Sequence, residues 1–342
     1  LLQKHKYITK TVLEQNLMNT KFTNAINRVE QSCPPIWMMR QAGRYQSSYM
    51  QLKEQYNFMQ MCKLPQIASK VAMLPIDEFD FDVAILFSDI LWHVEGLGLP
   101  LAFDPSPKFE FHLSEENYKN HMCIETAMEH ISFQKVALET TRDMLPSRKS
   151  LIGFIGGPWS VLNYALGDNK ASLEFKTMYL NDVIIPLMAR SIRAQKLAGA
   201  EVVMIFDSGL HNMSKIYYEN KYLPMMEQLS AIGKVGYYAR DLPNGSLPKV
   251  KKMDWAGIGI DSTEDLAKTL KTHTNGFVQG NFDEQHMLLE TKLYHYELDK
   301  WLESLDDVDT TGWVCGLGHG IHKHTPTDHI KYFINQVRDK FE

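Results

Sequence analysis

The segment Trp37-Met38-Met39-Arg40-Gln41-Ala42-Gly43-Arg44-Tyr45 runs from a greasy, strand-like stretch into two arginines that bracket Gln-Ala-Gly. Arginine is seldom buried without an anionic partner, and its planar fork matches carboxylates and phosphates. Two such forks at the lip of an apolar strand suit a ligand with several anionic groups. A pair of solvated arginines after a strand is the plainer reading of the same letters. Asp89 has Phe87, Ile90, Leu91 and Trp92 as neighbours. It reads either as a helix N-cap or as a carboxylate in an apolar pocket, where its charge acts more strongly than in water. His319 lies between Gly318 and Gly320, so little shields its ring, and imidazole exchanges protons near neutral pH. His322 and His324 follow, but no acidic or thiolate partner stands at ligand spacing, so no metal site is expected. Ser208 follows Asp207 without a G-x-S-x-G elbow, which argues against a nucleophile. Tyr164 is either a helix-buried tyrosine that needs a hydrogen-bond partner or part of a polar wall.

These residues need a scaffold, and the chain supplies a rhythm. Short apolar runs end in Gly, Ser, Asp or Arg, and helix-like stretches follow them. The runs are 36–39, 83–87, 151–155, 202–206, 234–238, 257–260, 277–279 and 313–316, most of them apolar on both faces. Apolar spacing predicts a helix over 184–197, and 327–341 reads as a closing helix. Ser262-Thr263-Glu264-Asp265-Leu266 predicts a helix start with acidic residues in its first turn. Eight βα units predict a single-domain (β/α)8 barrel over 21–342, preceded by an extension over 1–20. A doubly wound sheet is the runner-up, but no G-x-G-x-x-G follows the first run, so no dinucleotide cofactor is expected. Segment 99–113 predicts a β-hairpin beside the mouth, turning at Pro105 to Pro107.

The barrel model makes the candidates one group. Residues just after each strand line one rim, where barrel enzymes place their chemistry. In chain order these are Arg40 to Arg44, Ser88-Asp89, Gly156 to Trp159 with Tyr164 beyond, Asp207-Ser208, Arg240-Asp241, Asp261, Gly280-Asn281 and Gly318 to Gly320.

Composition narrows the partners. The chain has 342 residues, 44% hydrophobic and 23% charged, with a formal net charge of -5. That charge offers no global attraction for nucleic acid or an anionic membrane. The four cysteines form no C-x-x-C pair, so a disulfide framework is not expected and a reducing compartment is. Residues 150–167 carry no charge, but Gly156-Gly157-Pro158 breaks the run; the expectation is a buried strand plus a loop, not a membrane helix. The chain opens at Leu1 rather than Met, so an upstream segment that carried any targeting signal is expected to have been trimmed.

The first block closely resembles the N-terminal signature of the uroporphyrinogen decarboxylase family. Further blocks resemble that family in the same order: Ala84 to Leu91, Gly153 to Trp159, Phe206-Asp207-Ser208, Gln279-Gly280-Asn281 and Leu317 to Ile321. The resemblance spans about residues 20 to 340. It implies a single-domain (β/α)8 barrel that forms a homodimer, uses no cofactor, and sits in the cytosol or a plastid. The implied reaction strips carboxyl groups from the acetate side chains of uroporphyrinogen, leaving methyls. By the same resemblance Asp89 would accept hydrogen bonds from pyrrole N–H groups and stabilise the cation that forms. Arg40 and Arg44 would hold carboxylates, with Lys53 further on. Ala42, Gly43 and Ser88 would contact substrate, and Tyr164, Ser208 and His319 would complete the wall. Either Arg40 or His319 could deliver the proton; guanidinium resists deprotonation, which makes the imidazole chemically easier.

The chain departs from the family pattern in places. Gln46-Ser47-Ser48 stands where Leu-Pro-Glu is usual, Lys53 where Arg is common, and Phe206-Asp207-Ser208 where Phe-Glu-Ser is usual. His322-Lys323-His324 lacks a frequent proline. Two rivals remain. A related barrel methyltransferase would need His and Cys zinc ligands at strand ends, where Cys315 stands alone. A catalytically silent tetrapyrrole binder would tolerate loss of Arg40 or Asp89, and both are present.

Overall fold

A computed structural model describes residues 20–210, 213–240, 242–243 and 245–342. The expected extension over 1–20 therefore lies outside the described residues except for Thr20, which opens a helix. Among the described residues the strands are β1 (Val83–Ile85), β2 (Leu101–Phe103), β3 (Pro107–Phe109), β4 (Ser150–Gly156), β5 (Val202–Asp207), β6 (Val235–Ala239), β7 (Gly257–Gly259), β8 (Phe277–Phe282) and β9 (Trp313–Leu317). Seven of them form one parallel sheet in the order β1-β4-β5-β6-β7-β8-β9, while β2 and β3 pair antiparallel. Helices follow the strands on the outside, which gives the expected (β/α)8 barrel architecture.

The expected first strand over 36–39 is reduced to a single bridge, Ile36 to Cys315. Its backbone still closes the ring. Trp37 N–H donates to Cys315 O at 3.0 Å and Cys315 N–H to Pro35 O at 2.9 Å. On the other side Asp82 N–H donates to Ile36 O at 3.1 Å. Pro34 and Pro35 have no N–H to offer, which shortens the ladder. Beyond Trp37 a side chain takes over. Gln41 is fully buried; its Nε2 donates to Val83 O at 2.9 Å, and its Oε1 accepts from Met38 N–H at 3.4 Å. The Gln of the arginine-bracketed motif is thus a rung between the first stave and β1.

The barrel interior is packed rather than hollow. Trp37, Met39, Val83, Ile152, Val202, Met204, Tyr238, Phe277 and Val314 form one buried cluster. The helix Thr20–Asn27 plugs its base, with Phe22 against Phe277 at 5.4 Å between ring centroids. A larger cluster fills the layer between strands and outer helices. Each large apolar side chain buried this way contributes roughly 1.5–3 kcal/mol.

The hairpin forms as expected, with Leu101 opposite Phe109 and Phe103 packed on Phe58 and Trp92. The closing helix runs Thr327–Phe341 and the helix that leads into β5 runs Ile185–Leu197, as the spacing predicted. Two local expectations change. Segment 150–167 is a strand followed by the helix Pro158–Leu166, not a strand and a loop. Gly157 stands at the N-cap and Pro158 in the first turn, where proline's missing N–H does no harm. The helix expected from Ser262 starts at Leu266, because Asp265 is its N-cap and accepts from Lys268 N–H at 2.9 Å. No described helix is long and apolar enough to cross a membrane.

Candidate active site

The mouth of the barrel has two sides, and the signature builds the first. Arg40 follows the first stave with φ of 59°, a left-handed conformation that is strained for a residue with a side chain. The loop after β9 packs against it. Ile321 N–H donates to Met39 O at 2.9 Å, and a Cβ on Gly320 would sit 2.5 Å from Arg40 Cδ. Only glycine leaves that passage, so Gly318-His319-Gly320 and Arg40 form one corner. Among the described residues neither Arg40 nor Arg44 has a carboxylate within salt-bridge distance.

Asp89 belongs to the same corner. It is not the N-cap of the following helix, Trp92–Gly96, whose N-cap position is Leu91. Instead its Oδ1 accepts from Leu91 N–H at 2.9 Å in a tight turn. Burial raises its carboxyl above the ordinary carboxylate range; the Leu91 amide, the Arg40 charge and the Ile90 amide pull the other way. Ser88 is oriented from outside the barrel by Gln134, whose Nε2 donates to Ser88 Oγ at 2.9 Å. His319 faces Tyr238, with Tyr238 Oη 3.1 Å from Nδ1. Arg44 and Lys53 are exposed on and beside the helix Ser47–Gln55, and Ala42 packs with Tyr49. Gly43 N–H donates to Gln46 Oε1 at 3.2 Å, so the departing Gln46 braces the signature turn.

The second side carries Tyr164 and Ser208. Tyr164 lies on the helix Pro158–Leu166 and is 45% exposed, not helix-buried. Ser208 is exposed just past β5. A buried carboxylate joins their supports. Asp207 is 0% exposed and accepts from Ser160 Oγ at 2.6 Å, from Ser160 N–H at 3.3 Å, from Tyr222 Oη, and from Tyr237 Oη at 3.4 Å. Burial raises its carboxyl despite these donors. A Cβ on Gly157 would lie 2.1 Å from Asp207 Cγ, so glycine makes room for it. Ser160 Oγ also accepts from Gly209 N–H at 2.8 Å, tying the Ser208 loop to the Tyr164 helix.

Other rim residues do structural work or lie outside the described residues. Asn281 Nδ2 donates to Asp261 O at 2.8 Å and Glu264 O at 2.7 Å, and Asp261 Oδ1 takes Thr263 N–H at 2.9 Å. Arg240 is exposed at the end of β6; Asp241 is outside the described residues. Cys315 is not at a strand end: it lies inside β9, fully buried, and burial pushes its thiol up. His322 and His324 sit on the loop after β9, rings 5.2 Å apart. Among the described residues no group of three or more His, Cys, Asp or Glu is arranged to hold a metal ion.

A family model described as "Uroporphyrinogen decarboxylase (URO-D)" matches residues 17–340. The chain belongs to the uroporphyrinogen decarboxylase family. Two relatives named uroporphyrinogen decarboxylase illustrate the distance. The protein from Dechloromonas aromatica (strain RCB) is 32% identical, covering 93% of this chain and 96% of its own. That from Synechococcus sp. (strain JA-2-3B'a(2-13)) is 31% identical, covering 90% and 94%. A solved methyltransferase from Methanosarcina mazei superposes with a TM-score of 0.76 at 16% identity, over 95% of this chain and 99% of that one. At that identity the likeness establishes the shared fold alone.

Within this family framework, some participants escaped the sequence reading. Ile85, Phe154 and Phe206 are partly buried above the interior cluster and give the mouth an apolar floor. Tyr238 was read as strand interior, not as the neighbour of His319. The available signal was alternation: Phe154 and Phe206 stand two residues above the inward Ile152 and Met204.

Proposed function

We propose that this chain decarboxylates uroporphyrinogen III, converting its four acetate side chains to methyls and giving coproporphyrinogen III and CO2 without a cofactor. The observation that carries the reading is one corner of the mouth. There an Arg40 guanidinium without a carboxylate partner and the half-buried Asp89 carboxyl meet beside an apolar floor, in a chain that matches the family model from 17 to 340. A flat tetrapyrrole rimmed with carboxylates presents what that arrangement accepts: an apolar face, N–H donors at the centre and anions at the edge.

Each turn of the chemistry balances with one net proton taken up. A proton adds to a pyrrole ring carbon next to the acetate-bearing position and makes the ring a cationic electron sink. The bond to the carboxylate breaks, its electron pair forms an exocyclic methylene, and CO2 leaves. A second proton converts the methylene to methyl as the ring carbon gives its proton back. Asp89 accepts the pyrrole N–H groups and stabilises the cation; a fixed charge of this kind is often the largest catalytic contribution. Arg40, Arg44 and Lys53 hold carboxylates. Ala42, Gly43 and Ser88 contact the substrate from the signature side, and Tyr164, Ser208 and His319 line the rest. His319 is the better proton donor, since a guanidinium gives up its proton only far above neutral pH.

The catalytic unit is one domain, residues 21–342, acting as a homodimer whose paired mouths shield the reacting centre, in the cytosol or a plastid. Light scattering in solution tests the dimer; a monomer mass refutes it. The test of activity is anaerobic incubation with uroporphyrinogen III and chromatography of the oxidised porphyrins. Coproporphyrin, with partly decarboxylated intermediates, is expected. No conversion by well-folded protein would sink the reading.

A further inference from the structure

We propose that Tyr238 is a positioning residue that fixes the tautomer of His319, so that Nδ1 carries a proton and proton exchange with the substrate runs through Nε2. The inference rests on the decarboxylase reading above for its role, and on geometry alone for the tautomer. Tyr238 Oη lies 2.9 Å from Gly318 O and 3.1 Å from His319 Nδ1. A phenol has one proton to donate and the Gly318 carbonyl can only accept. If Tyr238 donated to Nδ1 instead, two oxygens would face each other at 2.9 Å with no hydrogen between them. Donation to Gly318 O leaves a phenol lone pair toward Nδ1, which must then be the donor. The arrangement is held firmly. Tyr238 is 1% exposed inside the barrel, set edge-on to Phe206 at 6.2 Å, and its ring lies 21° from the plane of the His319 ring. A second-layer bond that selects which imidazole nitrogen is protonated is a recurrent device for histidines that move protons.

The cycle follows directly. Protonated His319 gives its Nε2 proton to the pyrrole carbon, keeps the Nδ1 proton on Tyr238, and takes a replacement at Nε2 from solvent. The test uses Tyr238→Phe in the full chain, which keeps the ring and its packing. Proton–nitrogen correlation spectra of histidine-labelled protein report the tautomer, with His319 assigned by its loss in His319→Asn. Neutral His319 of the wild type is expected as the Nδ1–H form, and Tyr238→Phe is expected to shift it toward Nε2–H. Turnover should fall on the order of tenfold with KM moved by less than about twofold, because orientation rather than binding is lost. A wild-type Nε2–H tautomer overturns the proposal. So does a Tyr238→Phe variant that keeps both the wild-type tautomer and kcat. A wild type that holds the Nδ1–H form but converts no uroporphyrinogen supports the positioning and overturns the decarboxylase reading instead.

Discussion

Asp89 follows β1 and Asp207 ends β5, with β4 between those strands in the sheet, and burial raises both carboxyls. Their surroundings are opposite. Asp207 is enclosed by four donors from Ser160, Tyr222 and Tyr237. Asp89 has the backbone amides of Leu91 and Ile90 and the Arg40 charge nearby, with no side-chain hydroxyl on it among the described residues. A carboxylate saturated by its own protein can only hold structure together. One left partly unsatisfied in an apolar site is available to a ligand, and the fold bears the strain of keeping it so.

The comparison is broken most directly at Asp207. Asp207→Ala removes the acceptor and strands the hydroxyls of Ser160 and Tyr222 in a dry interior. We expect a loss of about 3–5 kcal/mol in urea unfolding. A variant as stable as the wild type would mean that the network contributes nothing.

Asp89→Asn should do the reverse. Turnover is expected to drop by roughly 10²–10³-fold, the range seen when one electrostatic stabiliser is removed. Stability should stay level or rise. A carboxyl raised in the fold binds its proton more tightly there than in the unfolded chain, so ionisation costs stability as pH climbs from the ordinary carboxylate value through the raised one. Above the raised value that penalty is fully present, and Asn removes it. For the same reason the acid limb of kcat/KM in the wild type should lie above the ordinary carboxylate range and should vanish in the residual activity of Asp89→Asn. An Asn variant with near-normal turnover contradicts the role; one that unfolds in much less urea makes Asp89 structural after all.

In the sequence both acids read as apolar runs ending in Asp, and nothing local separates them. What separates them is long-range: Ser160 lies 47 residues before Asp207, and Tyr222 and Tyr237 come from later elements. The strand rhythm, the closing helix and the hairpin were legible because apolar periodicity and turn residues are local signals. The first strand was misjudged, since its ladder is continued by the Gln41 side chain, which no backbone pattern reveals. The pocket floor was hidden for another reason. Strands covered on both faces are apolar at every position, so alternation groups Phe154 with Ile152 and Phe206 with Met204 but does not say which group enters the barrel.

Gln41 offers the next smaller test. Gln41→Leu keeps the volume but removes the bond to Val83 O, leaving that carbonyl and Met38 N–H without their partner. A loss of about 1–3 kcal/mol is expected, together with a raised KM, because Arg40 follows directly from the loosened stave. Loss of stability with an unchanged KM would detach the rung from the ligand grip.

The two serines carry the contrast to its smallest scale. Ser160 donates to Asp207 and accepts from Gly209 N–H, so its hydroxyl is used twice inside the protein. Ser88 Oγ accepts from Gln134 Nε2, which leaves the Ser88 proton to point elsewhere. Ser160→Ala is therefore expected to lower stability by about 2 kcal/mol with turnover little changed, because two bonds are lost, one of them fully buried and the other partly so. Ser88→Ala should lower stability by about 1 kcal/mol or less, since one bond is lost and its half-exposed site admits water. Its larger effect should fall on KM, through the hydroxyl that would otherwise donate to a substrate carboxylate. Denaturant midpoints and steady-state kinetics on the pair decide it. If both variants lose stability alike and neither moves KM, the two sides of the mouth are built on the same plan, and the division between a bracing wall and a working one fails.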